Sequence, residues 1–137
     1  MIITRETDYA LRILRALSRG TQLTAGEIAE QELVPKQFAY KIMKKLSRAD
    51  LVAITRGVDG GCRLKADLDQ VTLYDLMAAM EESRSLSACM EPGYRCPWRE
   101  AHGGCTIHCR LSQVQNALNY ELRAHTLRSL LSGEEEQ

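Results

Sequence analysis

Apolar residues recur at helical spacing at Ala10, Ile13, Leu14 and Leu17 and predict a helix over residues 4–18, with Thr4 as N-cap and Gly20 as stop. Thr24 and Glu27 have the spacing of a capping box, in which each side chain satisfies a free backbone N–H of the other. A short second helix should run from there to about Gln31. Val34-Pro35 opens a third, with proline in the first turn, where its missing N–H costs nothing. Phe38, Ile42 and Leu46 form its predicted buried stripe.

The period then changes. Leu51 to Thr55 read as a strand, Asp59-Gly60-Gly61 offers the positive φ angles of a hairpin turn, and Cys62-Arg63-Leu64 return. Thr72 and Asp75 cap a further helix that carries Leu73, Leu76, Met77 and Met80 on one side. Ile107, Leu111, Val114, Leu118, Leu122 and Leu130 then recur about every 3.5 residues and predict one continuous helix over 106–132. A helix of roughly 25 residues outruns a small domain's diameter. With little chain left to cover them, Leu111, Val114, Leu118 and Leu122 are expected to pair with a second copy. The competing arrangement is a helix folded back on the head.

Three helices followed by a hairpin predict a winged helix-turn-helix: a mostly α fold with a small β-hairpin wing, extended by a long C-terminal dimerisation helix. The expected organisation is a DNA-binding head at 1–66, a connecting helix at 67–85, a cysteine-rich loop at 86–108, the dimerisation helix at 106–132 and a disordered tail at 133–137. There is no internal repeat.

Charge sharpens this division. The formal net charge of zero conceals 12 Lys+Arg against 7 Asp+Glu in residues 1–65, and 6 against 11 in the remainder. A basic head on an acidic body suits a polyanion partner. On the third helix, Lys36, Gln37, Tyr40 and Lys41 are placed to reach base edges, because such helices enter the major groove N-terminus first. Lys44, Lys45 and Arg48 are better placed for phosphates, and Arg56 and Arg63 extend the basic surface onto the wing. A lysine-rich helix alone would more often be a solvated face. Capping box, proline-led basic helix, Asp-Gly-Gly turn and charge split together favour DNA.

Four of the five cysteines, Cys89, Cys96, Cys105 and Cys109, fall in one Gly- and Pro-containing stretch with His108 beside the last. Thiolates and an imidazole in such a loop suit a soft metal or an iron–sulfur cluster. Structural zinc sites use closely spaced cysteine pairs, and Cys-x6-Cys-x8-Cys is too open for that pattern. A metal-free thiol switch is the other reading. Cys62 is expected to pack in the wing rather than ligate, and Asp8 reads first as a helix-dipole residue. His102 lies in a Gly-rich loop, His125 in the long helix, and Trp98 is placed either to shield the site or to pack.

No signal sequence or membrane-length apolar run is visible, and the odd cysteine count argues against a disulfide framework. The cytoplasm is the expected compartment, with no membrane partner. Nucleotide loop, nucleophile elbow and acid/base pair are all missing, so no enzyme is expected.

The chain resembles the Rrf-two-type family of bacterial winged-helix transcription regulators, which includes IscR-, NsrR-, RirA- and CymR-like members. Thr7-Asp8-Tyr9-Ala10-Leu11-Arg12 resembles the family's first helix. Arg56-Gly57-Val58-Asp59-Gly60-Gly61 resembles its wing and is the most specific match. Val71 to Leu76 resembles the next helix, and Cys105-Thr106-Ile107-His108 the Cys-x-x-His that opens the dimer helix. The resemblance implies a homodimer on palindromic operator DNA. It also implies a 2Fe–2S or 4Fe–4S cluster on Cys89, Cys96 and Cys105. The fourth ligand it implies is His108, as in IscR-like members, or Asp8 of the partner subunit, as in NsrR-like ones. Cys109 is a further candidate.

This sequence departs from the pattern in its wider cysteine gaps, in Cys62 at a usually aromatic wing position, and in Tyr40 where some relatives have glutamate. The expected function is a repressor sensing redox state, nitric oxide or iron–sulfur status. The alternative is a cluster-free CymR-like repressor answering thiol oxidation, a metabolite or a partner enzyme. A small electron-transfer protein is a third reading, but it would have no use for a basic recognition helix.

Overall fold

The computed structural model describes residues 2–132. Within them the chain forms α1 (Arg5–Leu17), α2 (Ala25–Glu32), α3 (Lys36–Arg48), an antiparallel hairpin of β1 (Val52–Thr55) and β2 (Gly61–Leu64), and α4 (Leu73–Ala79). A single 3-10 turn (Ala88–Met90), α5 (Pro97–His102), α6 (Thr106–Ala124) and α7 (Leu127–Leu131) follow. The architecture is mostly helical with a winged hairpin. No helix among the described residues is long and apolar enough to cross a membrane.

Local chemistry accounts for the helix starts. Thr24 accepts from the Glu27 N–H while the Glu27 carboxylate accepts from the Thr24 N–H, and Thr72 and Asp75 repeat the arrangement at α4. Thr4 is the N-cap of α1, but its hydroxyl makes no cap bond and is buried without a partner. Pro35 sits one place earlier than expected, as the N-cap of α3, where a donor is equally dispensable.

One core joins α1, α2, α3, the hairpin, α4 and α7. It contains Ile13, Leu14, Leu17, Ile28, Ile42, Leu46, Val52, Leu68, Leu76, Met80 and Leu127. Burying each large apolar side chain contributes on the order of 2 kcal/mol. The buried stripe of α3 is Ala39, Ile42, Met43 and Leu46. Phe38 is only half-buried, tilted against Tyr9 with ring centroids 5.8 Å apart.

The wing differs from expectation in its turn. Positive φ falls on Gly57, at +110°, and not on Asp59, Gly60 or Gly61. Gly60 is required for closeness instead: a Cβ there would lie 2.3 Å from the Thr55 carbonyl oxygen. Leu23 also pairs with Cys62 through N–H···O bonds of 2.9 and 2.7 Å, adding a one-residue edge to the hairpin.

The predicted continuous helix over 106–132 is broken. His125 is extended, Thr126 pairs with Thr72, and the Leu127 N–H donates to the Val71 carbonyl at 2.8 Å. The break lets Leu127 enter the core of the head, where a straight helix would leave it in water. The predicted loop at 86–108 holds a 3-10 turn and α5, and its last residues belong to α6. The tail at 133–137 lies outside the described residues.

Candidate nucleic-acid interface and cysteine segment

Between α3 and the hairpin runs an open groove of about 890 Å³. Tyr40, Lys44 and Arg48 line one wall, Ile54, Thr55, Arg56 and Gly57 the other, with Thr24 and Ala25 at the start of α2. Lys36, Gln37, Tyr40, Lys41, Lys44 and Arg48 are all exposed along α3, and Arg56 and Arg63 along the hairpin. Lys36, Lys44, Arg48, Arg56 and Arg63 have no salt-bridge partner among the described residues. Unpaired cations around a groove that a polyanion can enter are the condition for counterion release.

Lys45 departs from its expected phosphate role. Its side chain is 15% exposed, and its ammonium lies 2.6 Å from Glu6 and donates to the Met80 carbonyl at 3.3 Å. One turn of α3 carries it past the outer face, toward α1 and α4. Lys41 shares the same Glu6 carboxylate at 2.6 Å but stays on the rim. Hydrogen bonds from Lys41 and then Lys45 hold the Glu6 carboxyl below its ordinary range.

All five cysteines are free. Cys62 is fully buried beneath the hairpin, and burial pushes its thiol up to about 11. It is a packing residue. Cys89, on the 3-10 turn, touches the Ser87 hydroxyl at 3.2 Å. Cys105 is the N-cap of α6 and accepts from the His108 N–H at 3.4 Å. Cys96 precedes α5, and Cys109 is exposed. His108 points along Arg99, with a guanidinium nitrogen 3.3 Å from Nε2. Asp8 is half-buried on α1 and pairs with Arg12 at 3.2 Å. His102 stacks on Trp98, and His125 sits in the break after α6.

The structure gathers Cys89, Cys96, Cys105, His108 and Cys109 onto one segment but does not close them together. Among the described residues no group of three or more His, Cys, Asp or Glu side chains forms a metal shell. In donor chemistry the set fits an iron–sulfur centre: the four thiols are unpaired and, unlike Cys62, reach solvent. In geometry the single chain leaves the shell open.

Two faces of α6 have separate duties. Leu122, at 7% exposure, and Gln115 are buried against their own chain. Leu122 is therefore a core residue, not the dimer contact expected of it. Ile107 and Val114 stand 70% and 54% exposed, with Leu111 and Leu118 half-buried beside them. Sequence reasoning missed Glu6 and Gln115. The only trace of Gln115 was a polar residue inside an apolar repeat, and Glu6 left no trace.

Residues 3–133 match the Rrf2 family, described as iron-dependent transcriptional regulator. The chain is 33% identical over 134 residues to protein aau3 of Rhizobium meliloti (strain 1021), covering 96% of this chain and 85% of that one. It is 29% identical to the HTH-type transcriptional regulator NsrR of Oceanobacillus iheyensis, covering 99% and 93%. Its fold is similar to that of CymR, the global cysteine regulator of B. subtilis, with a TM-score of 0.70 at 21% identity over 97% and 98% of the two chains. The fold of T. potens IscR gives 0.66 at 17% identity over 98% and 90%. A winged head with an open basic groove, matched by the family over almost its whole length, makes this chain a member of the Rrf2 family of transcriptional regulators and not an enzyme.

Proposed function

We propose that the chain is a homodimeric, cytoplasmic repressor that reads operator DNA with α3 and the wing and senses redox, nitric oxide or iron–sulfur status through residues 89–109. The carrying observation is the groove lined by Tyr40, Lys44, Arg48 and Arg56, whose three cations are unpaired among the described residues. Tyr40 and Gln37 sit where base edges would be read, while Lys44, Arg48 and Arg56 take phosphates. The outer strip of exposed Ile107 and Val114 with half-buried Leu111 and Leu118 would pair two copies and set their α3 helices about one DNA turn apart.

Cys89, Cys96 and Cys105 would hold an iron–sulfur cluster, with His108, Asp8 of the partner subunit or Cys109 completing the shell. Such a cluster, when bound, supplies a centre that oxidants, nitric oxide and iron shortage alter. Its presence would fix the cysteine segment against α6, and the two states regulate only as far as they differ in DNA affinity. The similarity to NsrR supports this reading.

The test joins anaerobic purification, with iron and sulfide analysis, to titration of an operator duplex at several salt concentrations. Bound iron and a steep fall of affinity with salt are expected. Equal operator affinity for loaded and metal-free protein would remove the sensing role. A second reading, a cluster-free repressor of the CymR kind, is favoured by four free thiols that reach solvent. It predicts colourless, iron-free protein whose DNA affinity changes on thiol oxidation.

A further inference from the structure

We propose that Thr7 and Gln115 are positioning residues that hold residues 80–86 as a strut between the recognition helix and the helix bearing the cysteine segment. The inference rests on the regulatory reading above and supplies the physical route it requires.

At one end, the fully buried Thr7 donates its hydroxyl proton to Glu82 at 2.6 Å. The other carboxylate oxygen of Glu82 is buried with no partner, so its hold on α1 depends on Thr7. Two residues earlier, the Met80 carbonyl accepts from Lys45 of α3 at 3.3 Å. Glu81 between them is left-handed, at φ 59°, and the Glu82 N–H donates back to the Met77 carbonyl at 3.1 Å, so α4 is closed off rigidly at this point.

At the other end, Gln115 of α6 reads the same segment as a strand would. Its amide donates to the Arg84 carbonyl at 2.7 Å, and its carbonyl accepts from the Leu86 N–H at 2.7 Å. The Arg84 guanidinium lies 4.4 Å from the centre of the Tyr74 ring. Cys89 follows three residues beyond Leu86, on the 3-10 turn packed against α6. Between Glu82 and Arg84 stands only Ser83, whose hydroxyl donates to Glu91 and accepts from the Ser85 N–H, and consecutive Cα atoms are about 3.8 Å apart whatever the torsions. A link that short leaves little slack, because only the φ and ψ of Ser83 lie between the two anchors. Movement of α6, with the cysteine segment it bears, relative to the head is therefore passed to α1 and α3.

Amide hydrogen exchange on metal-free full-length protein tests the strut without relying on a cluster. Gln115→Met, which keeps volume and loses the bonds to Arg84 and Leu86 together with one to Asn119 within α6, is expected to raise exchange by about ten-fold in residues 80–86 and also in the last turn of α3. Thr7→Val should do the same from the opposite end, and Thr7→Ser should restore the parent pattern. A rise confined to the residues beside each substitution would overturn the proposal. Should Gln115→Met or Thr7→Val fail to fold, the parent decides: the amides of Glu82 and Leu86 must exchange with one common protection, and independent exchange overturns it.

With anaerobically loaded protein, the ratio of operator affinities between loaded and metal-free forms should shrink by about ten-fold in Thr7→Val and persist in Thr7→Ser. An unchanged ratio in Thr7→Val counts against the strut. Parent protein without iron would end the cluster reading, while the exchange data still judge the strut.

Discussion

The ammonium of Lys45 lies 2.6 Å from the carboxylate of Glu6, although the neighbouring Lys44 lines the open groove beside the wing. Adjacent lysines on one helix thus face different partners. Lys44→Ala is expected to lower the salt slope of DNA binding by about one phosphate contact. Lys45→Ala should leave that slope unchanged and cost about 1–2 kcal/mol of stability, as a hydrogen-bonded charge loses its partner. Salt-titrated binding and urea unfolding of both variants separate the two effects.

The Glu6 carboxyl is held below its ordinary value of 4.5 by Lys41 and Lys45. A depressed carboxylate contributes stability that is present above that value and is lost as pH falls through the lower, folded one. Glu6→Gln should therefore be less stable than the parent near neutrality. Its stability should also decline less between neutrality and acid, measured as urea midpoints across that range.

Cys62 behaves oppositely. Burial raises its thiol from the ordinary 9.0 to about 11, so the unfolded chain releases this proton before the folded one does. Stability should fall as pH rises between those values. At neutral pH, maleimide should label Cys89, Cys96, Cys105 and Cys109 in metal-free protein, and Cys62 only after denaturant is added. Mass spectrometry of labelled peptides reads this directly.

Gly60 tests the wing apart from the head. A methyl group would meet the Thr55 carbonyl at 2.3 Å and the Gly57 carbonyl at 2.8 Å, so Gly60→Ala must displace backbone. The expected result is a folded protein, destabilised by about 1–3 kcal/mol, with weakened DNA binding. Thermal melts and duplex titration report the two consequences.

On α6, Val114→Asp should yield a folded monomer in sedimentation, because the side chain is 54% exposed and lies on the outer strip. Leu122→Asp should instead unfold the chain, since a charge would be buried without a partner at a cost of several kcal/mol. Loss of folding by Val114→Asp would place that strip inside the protomer.

The head was legible because short-range rules determine it. Thr24 with Glu27, Thr72 with Asp75, and the period of Ala10, Ile13, Leu14 and Leu17 are all local signals, and each lies where expected. The reading went wrong where distant chain decides. Leu122 and Leu130 continue the repeat of Leu118, but the first is buried within its own chain, and the backbone pairing of Thr72 with Thr126 ends the helix before the second. Lys45 and Lys44 are chemically alike, and only the position of Glu6 on another helix separates them. The thiols were legible as donors by type. Their distances depend on how the chain between α4 and α6 is held, and Gln115 holds Arg84 and Leu86 there through backbone groups that carry no side-chain signature.

The turn at His125 and Thr126 brings α7 back onto the head. Because Leu127 completes its own hydrophobic interior and the Arg128 N–H bonds to the Leu68 carbonyl, each protomer is finished before it meets another. The proposed pairing through α6 would then join two intact bodies without exchange of arms. On dilution such a pair would come apart into sound halves, so assembly and unfolding would be separate events on a concentration series.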